Sequence, residues 1–157
     1  MSDNRCSTVF SLRIIVLTGV FALGATQATA AQEELATPMS QLQQLTHKLN
    51  LASHHKNTEL ARFYMEESLI LLNEIQETIP EYQRIPVAVF IDRFAKPAYA
   101  PLQILLRREN KEFNPEDLKP AMQKVIDSCN ACHEASKFEF IKINYTTNNP
   151  YNQDFNP

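Results

Sequence analysis

Glycine is almost missing from this chain: Gly19 and Gly24 are the only two among 157 residues. Everything after Ala30 therefore has none. Tight hairpins and phosphate-cradling loops both rely on glycine's freedom at positive φ. A hairpin-rich sheet protein and a phosphate-binding loop are accordingly disfavoured, and helices joined by Pro and Asn turns are favoured. Tryptophan is absent, and cysteine occurs three times, at Cys6, Cys129 and Cys132. There is no excess of positive charge either: 15 Lys and Arg stand against 18 Asp and Glu. That mild acidity argues against a nucleic-acid partner and gives no strong steering field. No set of paired carboxylates beside a base and no Ser-His-Asp arrangement stands out, so an enzyme is not expected.

What apolar run there is lies near the start. Arg5 and Arg13 precede "IIVLTGVFALGA", Ile14 to Ala25, and Ala28-Thr29-Ala30 follows. A basic flank, a short apolar core and small residues form a secretory signal. The run is shorter than the roughly 20 residues a membrane span needs, so no stable span is expected once residues 1–30 have been removed after Ala30. Cys6 would leave with them. The expected organisation is a signal over 1–30, a helical domain over 31–143, and a polar tail over 144–157 in the periplasm. After Ala30 there remain 13 basic and 17 acidic side chains.

Apolar spacing predicts four helical segments. The first, about 33–52, carries Leu35, Met39, Leu42, Leu45 and Leu49, with Pro38 in or near its first turn. The second, about 57–79, opens on Asn57 or Thr58 as cap and ends at Pro80. The third, about 86–108, contains Pro97 and Pro101 and is expected as two short helices or one kinked one. The fourth opens at Asn114-Pro115-Glu116-Asp117, or near Lys119, and its stripe of Leu118, Met122, Val125 and Ile126 runs on to Cys129. Four amphipathic segments with short breaks predict an all-α, antiparallel four-helix bundle. The Asn- and Pro-rich segment behind it predicts an extended tail; either an aromatic or two packs on the bundle, or the last ten residues are disordered.

The chemistry is concentrated in Cys129-Asn130-Ala131-Cys132-His133. C-x-x-C-H is the attachment signal of a c-type haem. Two thiols on neighbouring turns can add to the two vinyl groups of one porphyrin, and the adjacent imidazole then reaches the iron. Its second ring nitrogen is left for an orienting acceptor. Three other readings compete. A zinc knuckle needs four ligands, and no second Cys or His pair lies at the right spacing. A thioredoxin-like dithiol should open a helix after a strand, whereas this pair closes one. A plain disulfide would not require His133. One covalent haem c is therefore expected.

A secreted bundle with C-x-x-C-H near the end of its last helix resembles the class II c-type cytochromes, the cytochrome c-prime group and its Met-ligated relatives. The resemblance covers roughly 33–137. It implies that Cys129 and Cys132 carry the thioether links, that His133 is the proximal ligand, and that a residue of the first helix faces the sixth iron position. It also implies a possible homodimer through the first two helices. Two features depart from the group: 24 residues follow His133, and the third helix is rich in proline.

In an up-down bundle the start of the first helix lies beside the end of the fourth. Met39 is then level with His133, while His47 is two turns deeper. On a wheel of about 100° per residue, Met39 falls about 60° from the centre of the apolar face and His47 about 140°. Met39 is the first candidate for the sixth ligand and His47 the second, although a Met there also suits plain core packing. Tyr64 and Phe63 are expected to line the pocket. A ligated iron predicts an electron carrier with a redox partner protein. A vacant sixth position predicts a binder of small gases such as NO or CO. A third reading makes the fold an interaction module that meets a partner through its tail.

Overall fold

The computed structural model describes residues 25–107 and 114–157, with side chains from residue 35 onward. The described chain is helical: α1 (Ala25–His54), α2 (Thr58–Thr78), α3 (Val87–Phe90), α4 (Lys96–Leu105) and α5 (Leu118–Ala135). α3 and α4 are joined without a break by a π-helical turn, Ile91–Ala95, and form one rod. α1 packs on α2 and α5, α2 on α3 and α4, and α4 on α5. Four rods thus close a cycle as an antiparallel bundle, in agreement with the expected class. No helix among the described residues is long and apolar enough to cross a membrane. The expected signal lies almost entirely outside the described residues.

Two of the turns between rods are set by asparagine side chains. Asn57 caps α2, its side chain accepting from Leu60 N–H at 3.1 Å. Asn114 accepts from Glu116 N–H at 3.1 Å and opens a 3₁₀ turn, Pro115–Asp117, that leads into α5. Pro38 differs from expectation, since it lies well inside α1. The Ala-, Gln- and Glu-rich stretch before it favours helix strongly enough to carry the rod past a missing N–H. The prolines of the third rod are accommodated by the π turn, where Lys96 N–H bonds to the Ile91 carbonyl five residues back. The rod therefore continues through Pro97 and Pro101, with a local change in the hydrogen-bond ladder just before them.

Two helices end in the same way. Lys56 and Lys137 have φ of 61° and 63°. Around them Asn57 N–H bonds to Ala52 O at 2.9 Å, and Phe138 N–H to His133 O at 2.8 Å. These are Schellman ends, whose left-handed residue is commonly glycine; here lysine takes the place. Gln83 and Arg84 also have positive φ, in a two-residue turn closed by Tyr82–Ile85 bonds of 3.0 and 2.8 Å. A tight turn thus forms without glycine, although it belongs to no sheet.

The core runs along the bundle axis through Leu49, Leu72, Ile75, Leu102, Met122 and Val125. Arg62, itself buried, donates to Leu106 O at 3.1 Å and joins the start of α2 to the end of α4. The final segment is part of the packing. From the end of α5 it runs back along the bundle to the α1–α2 turn. Asn50 Nδ2 donates to Thr146 O at 2.5 Å, Tyr64 Oη to Gln153 Oε1 at 2.6 Å, and Asn57 Nδ2 to Asn156 O at 2.8 Å. Phe155, only 1% exposed, is among the most deeply buried side chains. Of the two expectations for these last residues, the packed aromatic holds and disorder does not: Phe155 lies against Tyr64 and Tyr151.

Candidate functional site

α5 is amphipathic, and its inward stripe of Leu118, Ala121, Met122, Val125 and Ile126 is buried. Cys129 follows Met122 by seven residues and so continues that stripe. Cys132 and His133 flank the same line on the next turn. The helix thus gathers both thiols and the imidazole, all partly exposed, near its C-terminal end.

Both cysteines are free thiols and partly buried. Burial pushes the Cys129 thiol up to about 11, with the neighbouring Cys132 adding to the shift. Burial also raises Cys132, against a hydrogen bond with Ser136 that lowers it. Neither is poised as the thiolate that a reactive dithiol requires, because desolvation disfavours the charged form. Among the described residues no group of three or more His, Cys, Asp or Glu side chains is placed to hold a metal ion by itself, as a zinc site's four ligands would be.

His133 is the residue whose carbonyl accepts the Schellman bond, so its position in the helix end is fixed. Its Nδ1 lies 2.9 Å from the carbonyl oxygen of Ile141. A carbonyl can only accept, so Nδ1 carries a proton, and in the neutral ring Nε2 is the nitrogen with the lone pair. That is the tautomer a metal-binding imidazole adopts, with its second nitrogen oriented by an acceptor. The segment that supplies the acceptor is held in turn. Asn130 Nδ2 donates to Ile143 O at 2.9 Å, and Ile143 N–H donates to Asn130 Oδ1 at 2.8 Å.

The antiparallel register of α1 and α5 follows from two contacts. Lys56 pairs with Glu116 at 2.5 Å, and Thr46 and Ile126 line a common cleft. Extended by seven residues at the helical rise, that register would set Met39 level with His133. Met39 is partly buried and packed against the core. His47 lies about 12 Å further along the axis, at the helical rise of about 1.5 Å per residue. It is less exposed than its wheel position implies. Its Nδ1 lies 3.2 Å from Tyr151 Oη, and its Nε2 is buried with no partner among the described residues. The wheel counts helices only, whereas the final segment gives that side of α1 a second cover.

This cover leaves a cleft of about 430 Å³ between α1, Ile126 and residues 142–146, with Tyr151 at its edge. Its wall on α1 includes the buried Thr46 and Asn50, whose Oγ1 and Oδ1 have no hydrogen-bond partner among the described residues. Tyr64 is buried, and its hydroxyl serves the final segment through Gln153. Phe63, expected inward, is half exposed and stacks edge-on against Tyr64. Tyr99 was not singled out by its sequence position and lies closer to the motif. It is fully buried, and its hydroxyl is pushed well above its usual range, first by burial and then by nearby Cys129. Thr46 and Ser68 lie beside that hydroxyl, although Thr46 Oγ1 makes no hydrogen bond of good geometry. Tyr99 thus marks where all four rods converge next to the first thiol. Only its α4 spacing, with Leu102 on the same face, hinted at this.

No protein-family model, curated protein or solved structure matches the chain. The residues therefore have to be judged on their own chemistry. Two un-ionised thiols one turn apart and an imidazole with a free Nε2 fit a c-type haem. The Nδ1–carbonyl bond supplies the acceptor that the second ring nitrogen of such a ligand needs.

Proposed function

We propose that this chain is an exported, periplasmic c-type cytochrome of the class II kind, working as an electron carrier. Cys129 and Cys132 would hold one haem by thioether links, and His133 would donate Nε2 to its iron. The bound haem supplies a one-electron couple whose potential is tuned by the ligands and by burial. The protein's part is to orient His133, keep the thiols un-ionised and buried until they are used, and exclude water from the bundle end. The observation that carries this reading is the 2.9 Å bond from His133 Nδ1 to Ile141 O beside two free thiols. Met39 is the favoured sixth ligand because of its register with His133, with His47 behind it. A redox partner protein follows from the function, and a homodimer from the resemblance.

The test is an absorption spectrum of the ferrous protein expressed with a haem-attachment system, with and without CO. A six-coordinate spectrum unchanged by CO, made CO-sensitive by Met39→Ala, is expected. A wild type that already takes up CO, unaffected by Met39→Ala, would replace electron transfer with gas binding. A chain that carries no covalent haem would remove both.

A further inference from the structure

The acceptor on His133 lies in an unexpected place. Ile141 is 44% exposed, in a segment with no regular secondary structure. A carbonyl in such a segment would ordinarily face water and sample many directions. Here it is bracketed. On one side Ile141 N–H bonds to Phe138 O at 2.8 Å, at the end of the Schellman turn. On the other, Ile143 exchanges two hydrogen bonds with the side chain of Asn130. An asparagine amide offers one donor and one acceptor in a plane, so it can pair with a backbone N–H and C=O as a neighbouring strand would. Asn130 also lies three residues before His133, one turn away. Both ends of the bracket are therefore fixed to the helical turn that carries the imidazole.

We propose that Asn130, the first of the two residues between the cysteines, is a positioning residue for the haem ligand. It clamps Ile143, and the clamp holds the Ile141 carbonyl on His133 Nδ1–H. This rests on the haem reading above and deepens it. Without the clamp the exposed segment swings into water, the imidazole loses a fixed acceptor, and it becomes a poorer electron donor. A poorer donor stabilises the ferric iron less, so the potential rises. Removing such an orienting partner costs about 10-fold or more in metal affinity or activity, and a change of that size in relative ferric affinity is what the potential would read. A tenfold change in the ferric-to-ferrous ratio is 59 mV for one electron.

The experiment compares the full-length wild type with Asn130→Ala and Asn130→Asp. Covalent haem on the wild type, read by mass, is scored first and tests the haem reading alone. The reduction potential and amide exchange at Ile143 then test the clamp. Asn130→Ala is expected to raise the potential by about 59 mV and to speed exchange at Ile143. Asn130→Asp keeps the acceptor for Ile143 N–H but not the donor, and is expected to shift both by less. Should Asn130→Ala not fold, Asn130→Asp carries the comparison. Haem-bearing variants with fast exchange at Ile143 but a wild-type potential would overturn the positioning role. So would unchanged exchange.

Discussion

Replacing Phe155 with alanine should destabilise the whole bundle, although the residue lies two positions from the end of the chain. Phe155 is 1% exposed. Its ring centroid lies 6.4 Å from that of Tyr64 on α2 and 6.3 Å from that of Tyr151. Deleting a buried Phe side chain costs about 3–5 kcal/mol, from lost burial and from the cavity left behind. A void near a chain end can partly collapse, which puts the expectation at the lower limit, about 3 kcal/mol. The neighbouring bonds from Asn57 and His55 to Asn156 are exposed and add little. For a domain of this size the melting temperature should fall by about 10 °C. Urea unfolding followed by far-ultraviolet circular dichroism measures it directly. Phe155→Leu should retain most of the stability, and deletion of residues 150–157 should cost at least as much as Phe155→Ala. A loss below about 1 kcal/mol for both Phe155→Ala and the deletion would mean that the final segment does not pack in solution.

Tyr64→Phe keeps the ring and removes only the bond to Gln153, so a loss of about 1 kcal/mol in the same unfolding assay is expected, well short of Phe155→Ala. Lys137→Gly relieves a left-handed residue at the end of α5 and should stabilise by about 1 kcal/mol, with the haem spectrum unaltered. His47→Ala should leave the ferrous spectrum insensitive to CO, whereas Met39→Ala should not; the reverse pattern would exchange the two as ligands. Asp92, held low by hydrogen bonds from Lys96 and Gln76, contributes stability above its unfolded value. That contribution is lost as pH falls through the lower folded value. The stability difference between wild type and Asp92→Asn should therefore be constant above about pH 5 and shrink below about pH 4. A difference independent of pH down to about pH 2 would count against the pairing.

The bundle was legible because its signals are local. Asn57 and Asn114 cap where they should, and the stripe from Leu118 to Ile126 points Cys129 inward without any knowledge of the other helices. The interrupted third rod was read correctly from Pro97 and Pro101, but Pro38 was placed too near the start of its helix. The cost of a missing N–H is fixed, whereas the propensity and packing that offset it are summed over the whole rod. The orientation of His133 was legible only in part. Chemistry demands an acceptor for its second nitrogen, but which carbonyl supplies it depends on how the chain turns at Lys137, a left-handed lysine that no propensity favours. Tyr99 and the inward side of His47 were hidden for a third reason. Both depend on contacts between segments far apart in sequence, and a wheel drawn on one helix contains no such information.

The strap formed by the final segment has a kinetic side. Its bonds to α1, α2 and the turn between them join residues 89 to 104 positions apart. Helical bundles normally fold fast because their contacts are local. Here the α1–α2 hairpin can form early, while the strap must wait for a large loop to close. The order of events is then set by topology: helices first, the docking of Phe155 last.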